Sequence, residues 1–174
     1  MKLKKISIKA TNSTNDIAIK KIKKGIKSGI VVAEIQKKGR GRYGRKWISI
    51  QGNLFTTIFF ELKKNCSLKE ITNQNCNLVK KSLQNLVKYK ISVKPPNDLL
   101  IKGKKFCGIL QETIIHDCRK FIIIGIGINI NNNPIIKCYP TTNLNEFVKK
   151  RINKDIVFAN IRKTFEKNDK LTIN

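Results

Sequence analysis

The chain has 174 residues, 40% of them hydrophobic, which suits one globular domain with its own core. Its formal net charge of +26 is mostly lysine, spread along the whole chain among abundant isoleucine and asparagine. That global bias attracts nucleic acid without an evolved site, so no specific DNA partner is expected, and a basic nucleic-acid-binding module stays only as a rival. No apolar run approaches the roughly 20 residues of a membrane helix. The basic start MKLKKISIKA has no apolar core after it, so neither a membrane span nor a signal peptide is expected, and a cytoplasmic protein is.

The alternating ISIKA, residues 6–10, predicts a first strand. Ser13 and Asp16 in STND carry a helix-capping signal, followed by an apolar stripe of Ile17, Ala18, Ile22 and Ile26, with Gly25 and Gly29 marking the end. GIVVAEI is a buried strand by its β-branched content and runs into GRGRYGRKW, residues 39–47. That nonapeptide combines three glycines with three arginines. Glycine lets backbone approach a ligand and arginine offers planar, permanently charged donors, so the pair suggests a loop that closes over an anion. LFTTIFFEL is a further strand. The spacing of Ile71, Leu78, Val79, Leu83, Leu86 and Val87 predicts the longest helix over 68–89. ISVKPPNDLLIKGKKFCGILQETII reads as a strand, a proline-fixed bend, and two strands around KGKK. FIIIGIGINI, residues 121–130, is apolar throughout, as a central strand covered on both faces should be. Two short helices near 142–150 and 154–167 close the chain. The order predicts an α+β fold, a mixed β-sheet with helices packed against it, in a single domain over 1–174.

Five cysteines, Cys66, Cys76, Cys107, Cys118 and Cys138, have no CxxC spacing and read as reduced thiols rather than a zinc site. The one histidine, His116, sits beside Asp117 in a hairpin turn, so any chemistry should not depend on a histidine base. Polar and glycine residues gather instead at strand ends, where binding groups collect on a rigid scaffold. Taken singly each is weak: Ser13 reads as a cap, Lys105 as turn charge, PPND as a turn, and Gly125 and Gly127 as close backbone packing.

Together, STN at 13–15, GRGRYGRKW, KPPNDLLIKGKKFCGIL and GIGIN resemble, in order and spacing, the biotin–protein ligases, over about Lys5 to Asn131. The corresponding family elements read approximately GRGRxGRxW, KWPNDxxxxxxKxxGIL and GxGxN. The resemblance implies the biotin/lipoate-ligase, class II synthetase-like catalytic fold. It also implies ATP-dependent joining of biotin to a lysine of a biotin carboxyl carrier protein, of acetyl-CoA carboxylase or a related carboxylase, through biotinyl-AMP. ATP and biotin would be the substrates, with Mg²⁺. Ser13, Thr14, Asn15 and Gln36 fall where the family binds biotin, and Gly39, Arg40, Gly41 and Arg42 on the loop that folds over biotin and its adenylate. Arg42, Arg45, Trp47, Asn97, Asp98 and Asn129 match positions around the nucleotide. Lys105 matches the lysine that contacts the reacting carboxylate and phosphate, so it is a biotin, ATP and catalytic residue, and Arg42 is catalytic with it.

A carboxylate attacking phosphorus is already a nucleophile, so positive charge rather than a general base is what the step requires. Lipoate–protein ligases share the architecture, but GRGRYGRKW and KPPND fit the biotin group better. A degenerate domain that binds biotin or a carrier without turnover is the other alternative. Pro95 stands where the family has tryptophan. The chain is expected to lack both the N-terminal DNA-binding winged helix of the bifunctional members and the small C-terminal barrel, which is absent or vestigial. A homodimer is left open.

Overall fold

The structure, a computed structural model, describes residues 2–62 and 67–168. Its elements are β1 (Lys5–Thr11), α1 (Thr14–Ile22), β2 (Ser28–Gln36), β3 (Leu54–Glu61), α2 (Leu68–Gln84), β4 (Ile91–Lys94), β5 (Asp98–Ile101), β6 (Lys104–His116), β7 (Arg119–Ile128) and α3 (Lys154–Lys167). The strands form one seven-stranded sheet in the order β1-β2-β3-β7-β6-β5-β4. Only β1 and β2 run parallel among these pairs, because α1 returns the chain between them, and the remaining pairs are antiparallel. The expected α+β fold with a mixed sheet is what forms.

Period-two alternation divides β3 and β7 between the two faces. Leu54, Ile58 and Phe60 of β3, with Ile122, Ile124, Ile126 and Ile128 of β7, pack under α2 and α3 in the main core. Phe59, Phe121 and Ile123 turn to the other face and pack with Ala18 and Ile22 of α1. Each such side chain contributes about 1.5–3 kcal/mol when fully buried. β7 is therefore covered on both sides only as far as Ile123. Beyond it the outward positions are Gly125 and Gly127, and the second cover gives way to a cavity.

Three predicted elements differ in extent. α1 stops at Ile22, and Gly25 at φ +79° carries the chain round to β2 without reaching Ile26 as helix. α2 opens on a capping box, Ser67 with Glu70, and stops at Gln84 rather than 89. The Gln84 side chain there takes over the backbone that follows, donating to the Tyr89 carbonyl and accepting from Ile91 N–H. Leu86 and Val87 remain apolar because they pack on the core from a turn, which mimics helical spacing. The expected helix near 142–150 is instead a single 3₁₀ turn, Leu144–Glu146. Asn145 exchanges hydrogen bonds with the backbone N–H and carbonyl of Ile152, outcompeting the helix for the local backbone, while Asn143 donates to the side chains of Glu146 and Asn133. Cys66 lies outside the described residues.

Candidate active site

The site follows from where β1 and β2 end. Their parallel pairing continues past Thr11, with Lys37 N–H donating to the Thr11 carbonyl and Lys38 N–H to Asn12, so the STN segment and the arginine loop leave the sheet side by side. Ser13 caps α1, its hydroxyl accepting from Asn15 N–H. Gln36 Oε1 accepts from both the amide (2.9 Å) and the hydroxyl (3.0 Å) of Thr14. Beneath them the fully buried Thr57 of β3 lies 2.7 Å from Thr14 Oγ1 and 2.7 Å from Asn15 Oδ1.

The loop at 39–47 is built as a narrow hairpin. Gly41 N–H donates to the Arg45 carbonyl and Trp47 N–H to that of Gly39, around a 3₁₀ turn at Arg42–Gly44. Tyr43 and Gly44 both take positive φ, 56° and 71°. Tyr43 is 84% exposed, and Arg42 lies on its ring with Nη2 donating to the phenol oxygen. Arg40 is held on both sides, Nη1 2.7 Å from Asp16 Oδ1 and Nη2 3.2 Å from Glu112 Oε2. Burial works against its charge, but the hydrogen bond to Asp16 and the charges of both carboxylates outweigh it and raise its pKa above the ordinary arginine value. The loop returns at Trp47, whose indole lies against Gly108 and Gly127, where no side chain intervenes.

These segments surround a cavity of about 530 Å³. The strand–bend–strand from 94 to 105 forms the far wall. Lys105 Nζ lies 2.9 Å from Asp98 Oδ1, 5.2 Å from the Tyr139 ring centre and 5.6 Å from that of Trp47. Its backbone is clamped to the loop after β7, Lys105 N–H donating to the Pro140 carbonyl and Thr142 N–H to that of Lys105. Asn97 donates to the Ile109 carbonyl, and Pro95 lines the wall beside it. The cavity wall includes six cationic side chains, Arg40, Arg42, Arg45, Lys46, Lys94 and Lys105, against one acid, Asp98. Three of the chain's six arginines are there although lysine dominates elsewhere. A low-dielectric recess lined this way concentrates positive potential and selects anions.

Of the sequence-predicted residues, Thr14, Gln36, Arg40, Gly41, Arg42, Arg45, Trp47, Asn97, Asp98 and Lys105 line this one cavity. Ser13 and Asn15 stand just behind its wall, buried, with the Asn15 carboxamide directly over Gly125. Gly39 is buried where a Cβ would meet the Trp47 carbonyl at 2.8 Å. Asn129 lies apart, lining a small adjoining space with Trp47, Lys105 and Tyr139, and donates to the Thr142 carbonyl. His116 ends β6 at the hairpin turn, paired with Asp117. Sequence reasoning missed Glu112, Thr57 and Tyr139. The first two were legible in principle: counting in twos along β6 from Gly108 through Leu110 reaches Glu112 on the same face, and counting from Phe55 reaches Thr57.

No helix among the described residues is long and apolar enough to cross a membrane. Residues 6–129 match the biotin/lipoate A/B protein ligase family. The chain is 33% identical over 149 residues to the bifunctional ligase/repressor BirA of Bacillus subtilis, covering 79% of this chain and 45% of that protein. To the biotin–[acetyl-CoA-carboxylase] ligase of Paracoccus denitrificans it is 30% identical over 128 residues, covering 71% of this chain and 53% of that one. It therefore spans about half the length of these curated relatives. Among solved structures, the biotin protein ligase from Aquifex aeolicus in complex with biotin and ATP superposes with a TM-score of 0.80 at 29% identity, covering 96% of this chain and 70% of that one. The chain belongs to the biotin/lipoate A/B protein ligase family.

Proposed function

We propose that this chain catalyses ATP-dependent ligation of biotin to a lysine of a biotin carboxyl carrier protein, by way of biotinyl-AMP. The observation that carries the reading is the meeting of Arg42 and Lys105, from segments 63 residues apart in sequence, on one cation-lined cavity. In the first step the biotin carboxylate oxygen attacks the α-phosphorus of ATP and pyrophosphate leaves. In the second a carrier lysine amine attacks the acyl carbon, AMP leaves, and an amide forms. We assign the ring end of biotin to Ser13, Thr14, Asn15 and Gln36, the loop Gly39, Arg40, Gly41 and Arg42 to biotin and its adenylate, and the nucleotide to Arg42, Arg45, Trp47, Asn97, Asp98 and Asn129.

Lys105 is the group that neutralises carboxylate and phosphate as they approach, exchanging Asp98 for them. Losing one such preorganised donor costs about 3 kcal/mol, on the order of a hundredfold in rate. Trp47 Nε1 and Asn129 Oδ1 are buried without hydrogen-bond partners among the described residues, a donor and an acceptor suited to the polar edge of a nucleotide. No group of three or more His, Cys, Asp or Glu side chains gathers to hold a metal among the described residues. Among the described residues Asp98 is the one carboxylate on the cavity wall, which fits Mg²⁺ held chiefly by the triphosphate with one protein carboxylate nearby. Bound so, it would neutralise pyrophosphate as that group leaves.

The carrier of acetyl-CoA carboxylase or a related carboxylase is the inferred partner, and the cytoplasm the inferred setting. A homodimer is compatible with the reading, and specific DNA binding forms no part of it. Incubation with ATP, Mg²⁺ and radiolabelled biotin tests the assignment. Labelled biotinyl-AMP is the expected product; biotin bound without adenylate would mark a binding domain instead, and lipoyl-AMP formed in preference would move the chain to the sibling activity.

A further inference from the structure

Arg40 and Asn15 belong to different segments, yet one carboxylate holds both. Glu112 Oε2 accepts from Asn15 Nδ2 at 2.6 Å, and both its oxygens accept from Arg40 Nη2, at 3.3 and 3.2 Å. Glu112 sits on β6 opposite Ile123, two residues beyond the cavity-lining Leu110, and is not itself on the cavity wall. An ionised carboxylate only accepts hydrogen bonds, so it admits one orientation of the Asn15 amide. Nδ2 must face Glu112, which leaves Oδ1 over Gly125 to accept from Thr57. On its other side Arg40 pairs with Asp16 of α1.

We propose that Glu112 is a positioning residue, resting on the ligase reading above, that orients the ring-binding end of the site and latches the first half of the arginine loop to it. The loop is thereby divided. Gly39 and Arg40 are anchored, with Lys46 bridged to Arg40 and Trp47 to Gly39, whereas Arg42 to Arg45 project from that anchor and, among the described residues, make no bond to Asp16 or Glu112. Closure over a ligand then moves only the distal half, about a fixed root whose position depends on Asn15. Partly exposed ion pairs are individually weak, but this one ties three elements, α1, the loop and β6, at one point.

The test compares Glu112→Gln, which keeps shape and loses charge, with Glu112→Ala and Asp16→Asn. Glu112→Gln is expected to raise KM for biotin and the rate of adenylate release by about tenfold, the scale of one charge-assisted hydrogen bond, while KM for ATP stays as in the parent. Glu112→Ala should go further in the same direction. Asp16→Asn, which leaves the Asn15 contact intact, should speed adenylate release without changing KM for biotin. Parent-like release and KM in both Glu112 variants, or equal shifts for biotin and ATP, would overturn the proposal. If the parent chain makes no adenylate, the ligase reading fails, and hydrogen exchange at the Gly41 and Trp47 amides still decides this one. Faster exchange in Glu112→Ala supports the latch, and unchanged exchange refutes it.

Discussion

The indole of Trp47 lies on the bare backbone of Gly127, so close that a Cβ there would fall against its Cε2, Cζ2 and Nε1 atoms. Gly108 on the neighbouring strand, registered opposite Gly127, serves the same ring from the side. The glycines of GIGIN and FCGIL are thus a seat for a side chain of the arginine loop. Gly127→Ala is expected to lift the ring from that seat. Trp47 is the chain's one tryptophan, so its emission should move to the red. Overpacking that the ring could not escape would cost about 1–3 kcal/mol in a denaturant melt.

Lys105→Ala should reduce biotinyl-AMP formation by roughly a hundredfold or more, measured in single-turnover assays with labelled biotin. The melting temperature should change little, since Asp98 keeps 24% side-chain exposure and water can solvate it once its partner is gone. Adenylate formed at the parental rate would remove Lys105 from the chemistry.

Arg42→Gly separates formation from retention. Among the described residues the Arg42 guanidinium bonds only to Tyr43, so losing that side chain leaves the Arg40 anchor and the cavity floor intact. Biotinyl-AMP should escape into solution faster than in the parent, read by filtration after one turnover. Equal retention would refute the assignment of Arg42 to the closing half of the loop.

The thiols give a pH test. Burial, with the Asp98 charge behind it, pushes Cys76 up to about 11 from an ordinary 9.0. Burial likewise holds Cys107 well above its ordinary value, with Cys76 adding to the effect and Lys105 opposing it. A thiol raised in the fold keeps a proton that the unfolded chain loses. Its contribution to stability is therefore complete below pH 9 and disappears as pH rises through the folded values. Denaturation midpoints should fall above pH 9, less so in Cys76→Ser. At pH 8 iodoacetamide should label the exposed Cys118 and Cys138 quickly, and Cys76 and Cys107 only after denaturation.

Asn53 anchors the loop after β7 with one oxygen, which accepts from the amides of Ile130 (2.9 Å), Asn131 (3.1 Å) and Asn132 (3.4 Å). Asn53→Ala should destabilise by about 1–3 kcal/mol by leaving those donors unmatched. Asn53→Asp keeps the acceptor but sets an oxygen against the Asn132 carbonyl, to which Asn53 Nδ2 donates at 2.7 Å, so it should recover only part of the loss. Equal melting of all three proteins would show that the loop is held elsewhere.

Strand and helix identities in the first 130 residues were legible because local patterning decides them: period two in β3 and β7, a cap at Ser13, spaced apolar residues in α2. The helix over 154–167 was legible for the same reason, but the stretch from 131 to 153 was not. Its order comes from asparagine side chains: Asn53 and Asn145 bond to backbone 77 and 7 residues away and Asn143 to the side chains of Asn133 and Glu146, and such bonds leave no periodic trace.

By itself the sequence determined the sheet's apolar faces, the cationic loop and the motifs that resemble the ligases, all properties of residues near one another in the chain. Only the tertiary structure decided that Trp47 seats on Gly127, that Lys105 faces Asp98, and that Glu112 joins Asn15 to Arg40. Those pairings depend on strand order and register, since β3 and β7 lie between the β1–β2 end and β6, and sequence separation carries no information about that distance.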